Sequence, residues 1–416
     1  MQMSTIKPFK GLRPIVSLAE KVAAPPYDVL NSEEARQMAA GNPYSFLHIS
    51  KPEIDLPEGT DVYSDEVYQQ GAANLKRFIA EGTFRRDEQE FYYVYRQIMG
   101  QHSQTGLVAA ASVEEYQQNL IKKHELTRAD KEDDRVRHVN SLNAQTGPVF
   151  LTYKARPEID AIISNITNRP PENDFVSMDQ IRHTLWVVTD ETEINIITQA
   201  FSELDCLYVA DGHHRSAAAS RVCDMRKQNN PNHTGKEAYN FFLSVLFPHN
   251  QMKIMDYNRV IKDLNGLDDN EFIRKVKDKF AVTLLGPETE KPTKKHEMMM
   301  YLSHQWYRLE VKPGTINEND PVDRLDVSIL TNYILSPILG IHDLRKDKRI
   351  DFVGGIRGLD ELKRRVDSGE MRVAFALFPT SIQDLMTIAD AGKTMPPKST
   401  WFEPKLRSGL VIHMLD

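Results

Sequence analysis

Apolar residues recur along this chain at two spacings, and the changes between them divide it into elements. Val67, Leu75, Phe78 and Ile79 lie near helical spacing, which predicts a helix from about Asp61 to Gly82 with these four side chains facing the core. Asn31 and Glu34 predict a capping box in front of a helix over 33–40, with Gly41 and Asn42-Pro43 as its stop. The segments 91–95 and 107–113 read as strands, and the polar, glycine-containing stretch between them suits a hairpin. Further strands are expected at 147–153, 184–189 and 206–210, with helices over 190–202 and from Gly212 onward. Beyond Val260 come a helix (270–280), two strands (281–285 and 306–311) and another helix (327–335).

This alternation predicts a mixed α/β (α+β) protein. At 416 residues the chain exceeds the length at which one core usually stops growing. We therefore expect three parts: an N-terminal α/β region over 1–104, a core over 105–260 and a C-terminal α/β region over 261–416. No stretch approaches the roughly 18 continuous apolar residues a membrane span needs, and the first residues lack the apolar run of a secretory signal. A cytoplasmic location is the expectation. Cys206 and Cys223, the two cysteines, are too few for a disulfide framework or a thiolate metal site. The 52 basic residues are interspersed among 59 acidic ones, giving a net charge of −7, so neither nucleic acid nor a membrane is an expected partner. A homodimer is compatible with the sequence.

The densest chemistry lies where an apolar strand ends in Asp211-Gly212-His213-His214-Arg215 and an alanine-rich helix begins. The first N–H groups of such a helix are unpaired and sit at the positive end of its dipole, so an anion is favoured there. Gly212 permits close approach of the backbone, Arg215 can fork onto phosphate oxygens, and the two imidazoles add donors. The plain alternative is that Asp211 only caps the helix while Arg215 pairs with a nearby carboxylate, but a cap requires one residue and not five in succession. Zinc is disfavoured, because adjacent helical residues point about 100° apart and no further ligand set lies close by. Mg2+ held by Asp211 together with substrate phosphates suits the residues better.

A second cluster contains Lys122, Lys123, His124, Glu125 and Arg128, followed by Asp134, Arg135 and His138. Glu125 could take a proton from an attacking hydroxyl, and Lys123, His124 or Arg128 could neutralise a transferred phosphoryl group. A solvated charged helix explains the same residues equally well. There is no Walker-type or dinucleotide-binding glycine loop and no nucleophile elbow.

Taken together, Pro25-Pro26-Tyr27-Asp28-Val29, His124-Glu125-Leu126-Thr127, Asp134-Arg135, Ala210 to Arg215 and Phe402 to Leu410 resemble the bacterial and archaeal DUF1015 proteins over nearly the whole chain. The Asp-Gly-His-His-Arg element is also similar to that of free serine kinases in the ParB/sulfiredoxin-like superfamily. That resemblance implies a ParB/sulfiredoxin-like core carrying N-terminal and C-terminal additions. It implies Glu125 as the base on a serine hydroxyl and Asp211 as an assistant through magnesium or the hydroxyl. Gly212, His213, His214 and Arg215 would hold the donor phosphates, with Lys123, His124 and Arg135 as further anion-binding groups. The donor would be pyrophosphate, ADP or ATP, and the product O-phosphoserine. The same superfamily also implies an alternative, a nucleotide-responsive or DNA-associated regulator without catalysis.

Overall fold

The computed structural model describes residues 4–416, which fold as mixed α/β, the class the sequence predicts. Two compact units emerge. One holds the chain up to Lys123, Thr127–Met252 and Pro404–Asp416; the other holds His124–Leu126 and Lys253–Glu403. The expected boundary between 104 and 105 falls inside the His102–Ser112 strand, which pairs with both Tyr92–Met99 and Phe241–Pro248. A sheet ladder crosses that point, whereas a domain boundary needs few crossing contacts. The expected break after 260 lies close to the start of the second unit's main segment, but the last thirteen residues return to the first unit, which no linear division anticipates.

The first unit is built on a nine-stranded sheet. Its order is Ile121–Lys122, Leu207–Asp211, Val149–Tyr153, Phe241–Pro248, His102–Ser112, Tyr92–Met99, Arg182–Val188 and Asn173–Val176, with Ile6–Lys7 also pairing with His102–Ser112. All eight positions of Phe241–Pro248 are buried, as expected of an apolar run covered on both faces. The expected hairpin forms between Tyr92–Met99 and His102–Ser112, paired Tyr93 to Val108 through Met99 to His102. A small sheet of Phe84–Arg86, Gly11–Pro14, Ile412–Met414 and Ala144–Gln145 joins both chain ends to the same unit.

Local sequence signals explain many helix boundaries. The Asn31–Glu34 capping box is present at the start of Ser32–Ala39, and the Asp190 side chain caps Glu191–Ser202. The Asp65–Ala80 helix buries Val67, Leu75 and Phe78, but Ile79 is 39% exposed. Following Phe78 directly, Ile79 is rotated about 100° away from the core stripe. The second unit has a six-stranded antiparallel sheet in the order Phe280–Gly286, Gln305–Val311, Glu297–Leu302, Val373–Leu377, Tyr257–Ile261 and Ile350–Gly354. Among the described residues, no helix is long and apolar enough to cross a membrane.

Candidate functional site

The Leu207–Asp211 strand, paired with Ile121–Lys122 on one side and Val149–Tyr153 on the other, delivers the Asp-Gly-His-His-Arg element at its C-terminal end. Its register against Val149–Tyr153 shifts between Val209 and Asp211, a bulge that re-aims the last residue. Gly212 follows with φ of 99°, in the left-handed region that favours glycine, and the His213–Asn229 helix starts immediately. A side chain at 212 would place its Cβ 3.2 Å from Arg215 Cζ, so glycine also makes room for the guanidinium.

The N-cap position of this seventeen-residue helix is Gly212, which has no side chain to offer its first turn. Among the described contacts, the Asp211 carboxylate faces cations and not the first turn of the helix. Its Oδ2 accepts from Lys405 Nζ at 2.8 Å, and its Oδ1 lies 3.8 Å from Arg215 Nη2. Burial pushes the Asp211 carboxyl upward, but the Lys405 ammonium, the Arg215 guanidinium and His213 outweigh that effect, holding it well below the usual carboxylate range. Asp211 is therefore ionised. Arg215 folds back along its helix, donating through Nη1 to the Pro148 carbonyl, and pairs with a nearby carboxylate as the plain alternative expects.

The two histidines occupy different settings. His213 is buried, whereas His214 is partly exposed and accepts the Arg128 backbone N–H through Nε2 at 3.1 Å. An accepting Nε2 requires the neutral ring with its proton on Nδ1, and the contact fixes the chain at the start of the Ala129–Leu142 helix. Lys123 holds its ammonium 4.2 Å from the centre of the Tyr116 ring, and partial burial lowers its pKa. Arg135 stacks 3.7 Å from the Tyr27 ring centre and binds Asp134 Oδ2 through Nε and Nη2, at 2.9 and 2.7 Å.

His124 and Glu125 belong to the other unit, where the Met395 N–H donates to the His124 carbonyl at 2.8 Å. His124 is buried and Glu125 partly buried. The helical alternative for this cluster holds only from Ala129 on; Lys122 ends a short strand, and 123–128 is not helical.

Lys405 escapes the sequence reading. It stands in the Phe402 to Leu410 stretch, whose aromatic residues suggest a docking edge or packed chain end, and no periodicity links it to an aspartate 194 positions away. Tyr27 and Ser408 escape in the same way: with Arg135, Gly147 and Arg215 they line one cavity in the first unit.

The profile of a family described as a protein of unknown function, DUF1015, matches residues 6–328. The chain belongs to the DUF1015 family. Comparison of this DUF1015 chain with curated proteins finds no match. Among solved structures, it is similar to a free serine kinase variant in complex with AMP, at 12% identity and a TM-score of 0.37, covering 71% of this chain and 86% of that one. A conserved hypothetical protein from Pyrococcus furiosus is similar at 14% identity and a TM-score of 0.36, covering 72% and 93%. C-terminally truncated SbnI from Staphylococcus aureus is similar at 10% identity and a TM-score of 0.38, covering 71% and 82%.

Proposed function

We propose that this DUF1015 protein is a small-molecule kinase that phosphorylates the hydroxyl of free L-serine to give O-phosphoserine, with pyrophosphate, ADP or ATP as donor. One observation carries the reading. A long helix starts at a left-handed glycine, and the ionised Asp211, Arg215 and Lys405 stand beside it. The positive end of a helix dipole, opened by a backbone that a glycine lets come close, suits the oxygens of a phosphate.

In this reading Glu125 takes the proton of the serine hydroxyl as that oxygen attacks the terminal phosphorus of the donor, and the shortened donor departs with the electrons of the broken P–O bond. Gly212, His213, His214 and Arg215 hold the donor phosphates, with Lys123, His124 and Arg135 as further positive or donor groups. Charge neutralisation and positioning account for most of the catalysis in such transfers.

Asp211 offers Mg2+ one ionised, partly exposed carboxylate, and an ion there would take the place of the Lys405 ammonium at Oδ2. The ion would then be held mainly by the donor's phosphates and water. When bound it would neutralise charge on the transferred group.

Phosphorus NMR of the full chain with L-serine and Mg2+, offering each donor in turn, tests the assignment. A phosphoserine resonance with one donor is the expected result, and Glu125→Gln should slow its appearance by roughly 10²–10⁴-fold while leaving the thermal midpoint unchanged. Turnover by Glu125→Gln at the rate of the parent chain would remove the base from the mechanism.

A further inference from the structure

Alongside the His213–Asn229 helix lies a cavity of about 30 Å³ within the first unit, lined among others by Tyr27, Ser50, Arg135, His138, Arg215 and Ser408. Its lining includes no aspartate or glutamate, and Asp211, Gly212, His213 and Lys405 do not reach it. The cavity therefore meets the helix at Arg215 and Ala219 and not at Gly212 or His213.

Two donors there have no hydrogen-bond partner among the described residues. Ser50 Oγ is one, in a side chain only 5% exposed; Arg215 Nε is the other, on a guanidinium otherwise engaged with the Pro148 carbonyl and near Asp211. Arg135 binds Asp134 through Nε and Nη2, which leaves Nη1 outside that pair. Buried donors without partners are costly, and two of them around one small void call for an acceptor. His138 adds no competing charge, since burial lowers its pKa to about 4 while its Nε2 meets the Ile49 carbonyl at 3.0 Å.

The geometry points to this cavity as a pocket for the carboxylate of an amino-acid substrate, beside the turn that would hold phosphate and sharing Arg215 with it. The volume admits roughly one or two water-sized groups, which matches the two oxygens of a carboxylate and not the three outer oxygens of a phosphoryl group. Fork-shaped guanidinium donors favour the same planar partner. The identity of the amino acid rests on the serine kinase reading; the pocket itself does not.

Isotope-labelled acetate, followed by NMR line broadening on the full chain, probes the pocket without assuming turnover. Acetate should bind the parent chain and be displaced by L-serine but not by serinol, in which a hydroxymethyl group replaces the carboxylate. Binding should weaken about tenfold or more in Ser50→Ala and in Arg135→Lys, which keeps the cation over Tyr27 while losing the fork. Unchanged acetate binding in both variants, or displacement by inorganic phosphate as readily as by L-serine, would overturn the pocket, even if serine is phosphorylated. Acetate held by Ser50 and Arg135 but not displaced by L-serine would keep the pocket and remove serine as the substrate.

Discussion

Lys405 Nζ lies 2.8 Å from Asp211 Oδ2, joining the penultimate stretch of the chain to the strand end that opens the longest helix of the first unit. The contact supplies a counter-charge for a carboxylate that Arg215 alone, at 3.8 Å, would balance poorly. It also makes the last residues part of the candidate site.

Lys405→Met should therefore leave Asp211 with only its more distant cation. The expected cost is about 1–3 kcal/mol of stability, with pyrophosphate affinity lowered roughly tenfold, measured by urea unfolding and calorimetric titration. Because the folded pKa of Asp211 is depressed, its stabilising contribution is present above the ordinary carboxylate value of 3.8 and is lost as pH falls below it. The variant should consequently show a flatter loss of stability between about pH 4 and pH 2.

Gly212→Ala tests the turn. At φ of 99° alanine is strained, and its Cβ would lie 3.2 Å from the Arg215 guanidinium. A loss of about 1–2 kcal/mol is expected, with weaker phosphate binding because the first turn must shift. Parent-like unfolding and binding would show that the turn tolerates a side chain.

Deleting residues 404–416 should do much more than remove Lys405. Ile412–Met414 is an interior strand, paired with Gly11–Pro14 on one side and Ala144–Gln145 on the other, and Ile412 is buried in the core formed with Leu12, Phe46, Phe78 and Phe84. The truncated chain should lose its cooperative thermal transition or melt at least about 10 °C lower. Calorimetry decides between that outcome and a dispensable tail.

In the second unit, burial pushes the Asp326 carboxyl up to about 7, and nearby Asp384 acts in the same direction against the His296 backbone N–H and Lys295. Its Oδ1 accepts that N–H at 2.9 Å, while Oδ2 has no hydrogen-bond partner among the described residues. With the folded pKa raised, the associated stability is complete below pH 3.8 and is lost as pH rises toward 7. Asp326→Asn should raise the melting temperature by about 2–4 °C at pH 8 and by less at pH 5, read from melting curves at the two values.

Much of the local structure was legible in the residues. The Asn31–Glu34 box, the Asp190 cap, the hairpin strands and the strand-to-helix turn at Gly212 all follow from interactions within a few positions. So does the character of Asp211 to Arg215 as a place for an anion, because helix termini and glycine conformations are local properties. Ile79 shows the limit of that signal: it stands beside Phe78 in the sequence, yet the helix rotates it outward.

Tertiary structure alone decided which distant residues meet. It gave Asp211 the ammonium of Lys405 instead of a capping role, turned Arg215 toward Pro148 and set Tyr27, Ser50, Arg135 and Ser408 around one cavity. It also returned Pro404–Asp416 to the first unit across an intervening sheet domain. The physical reason is that these contacts join segments with no shared period or spacing. They exist because burying both chain ends in one core brings together polar groups that the sequence lists far apart.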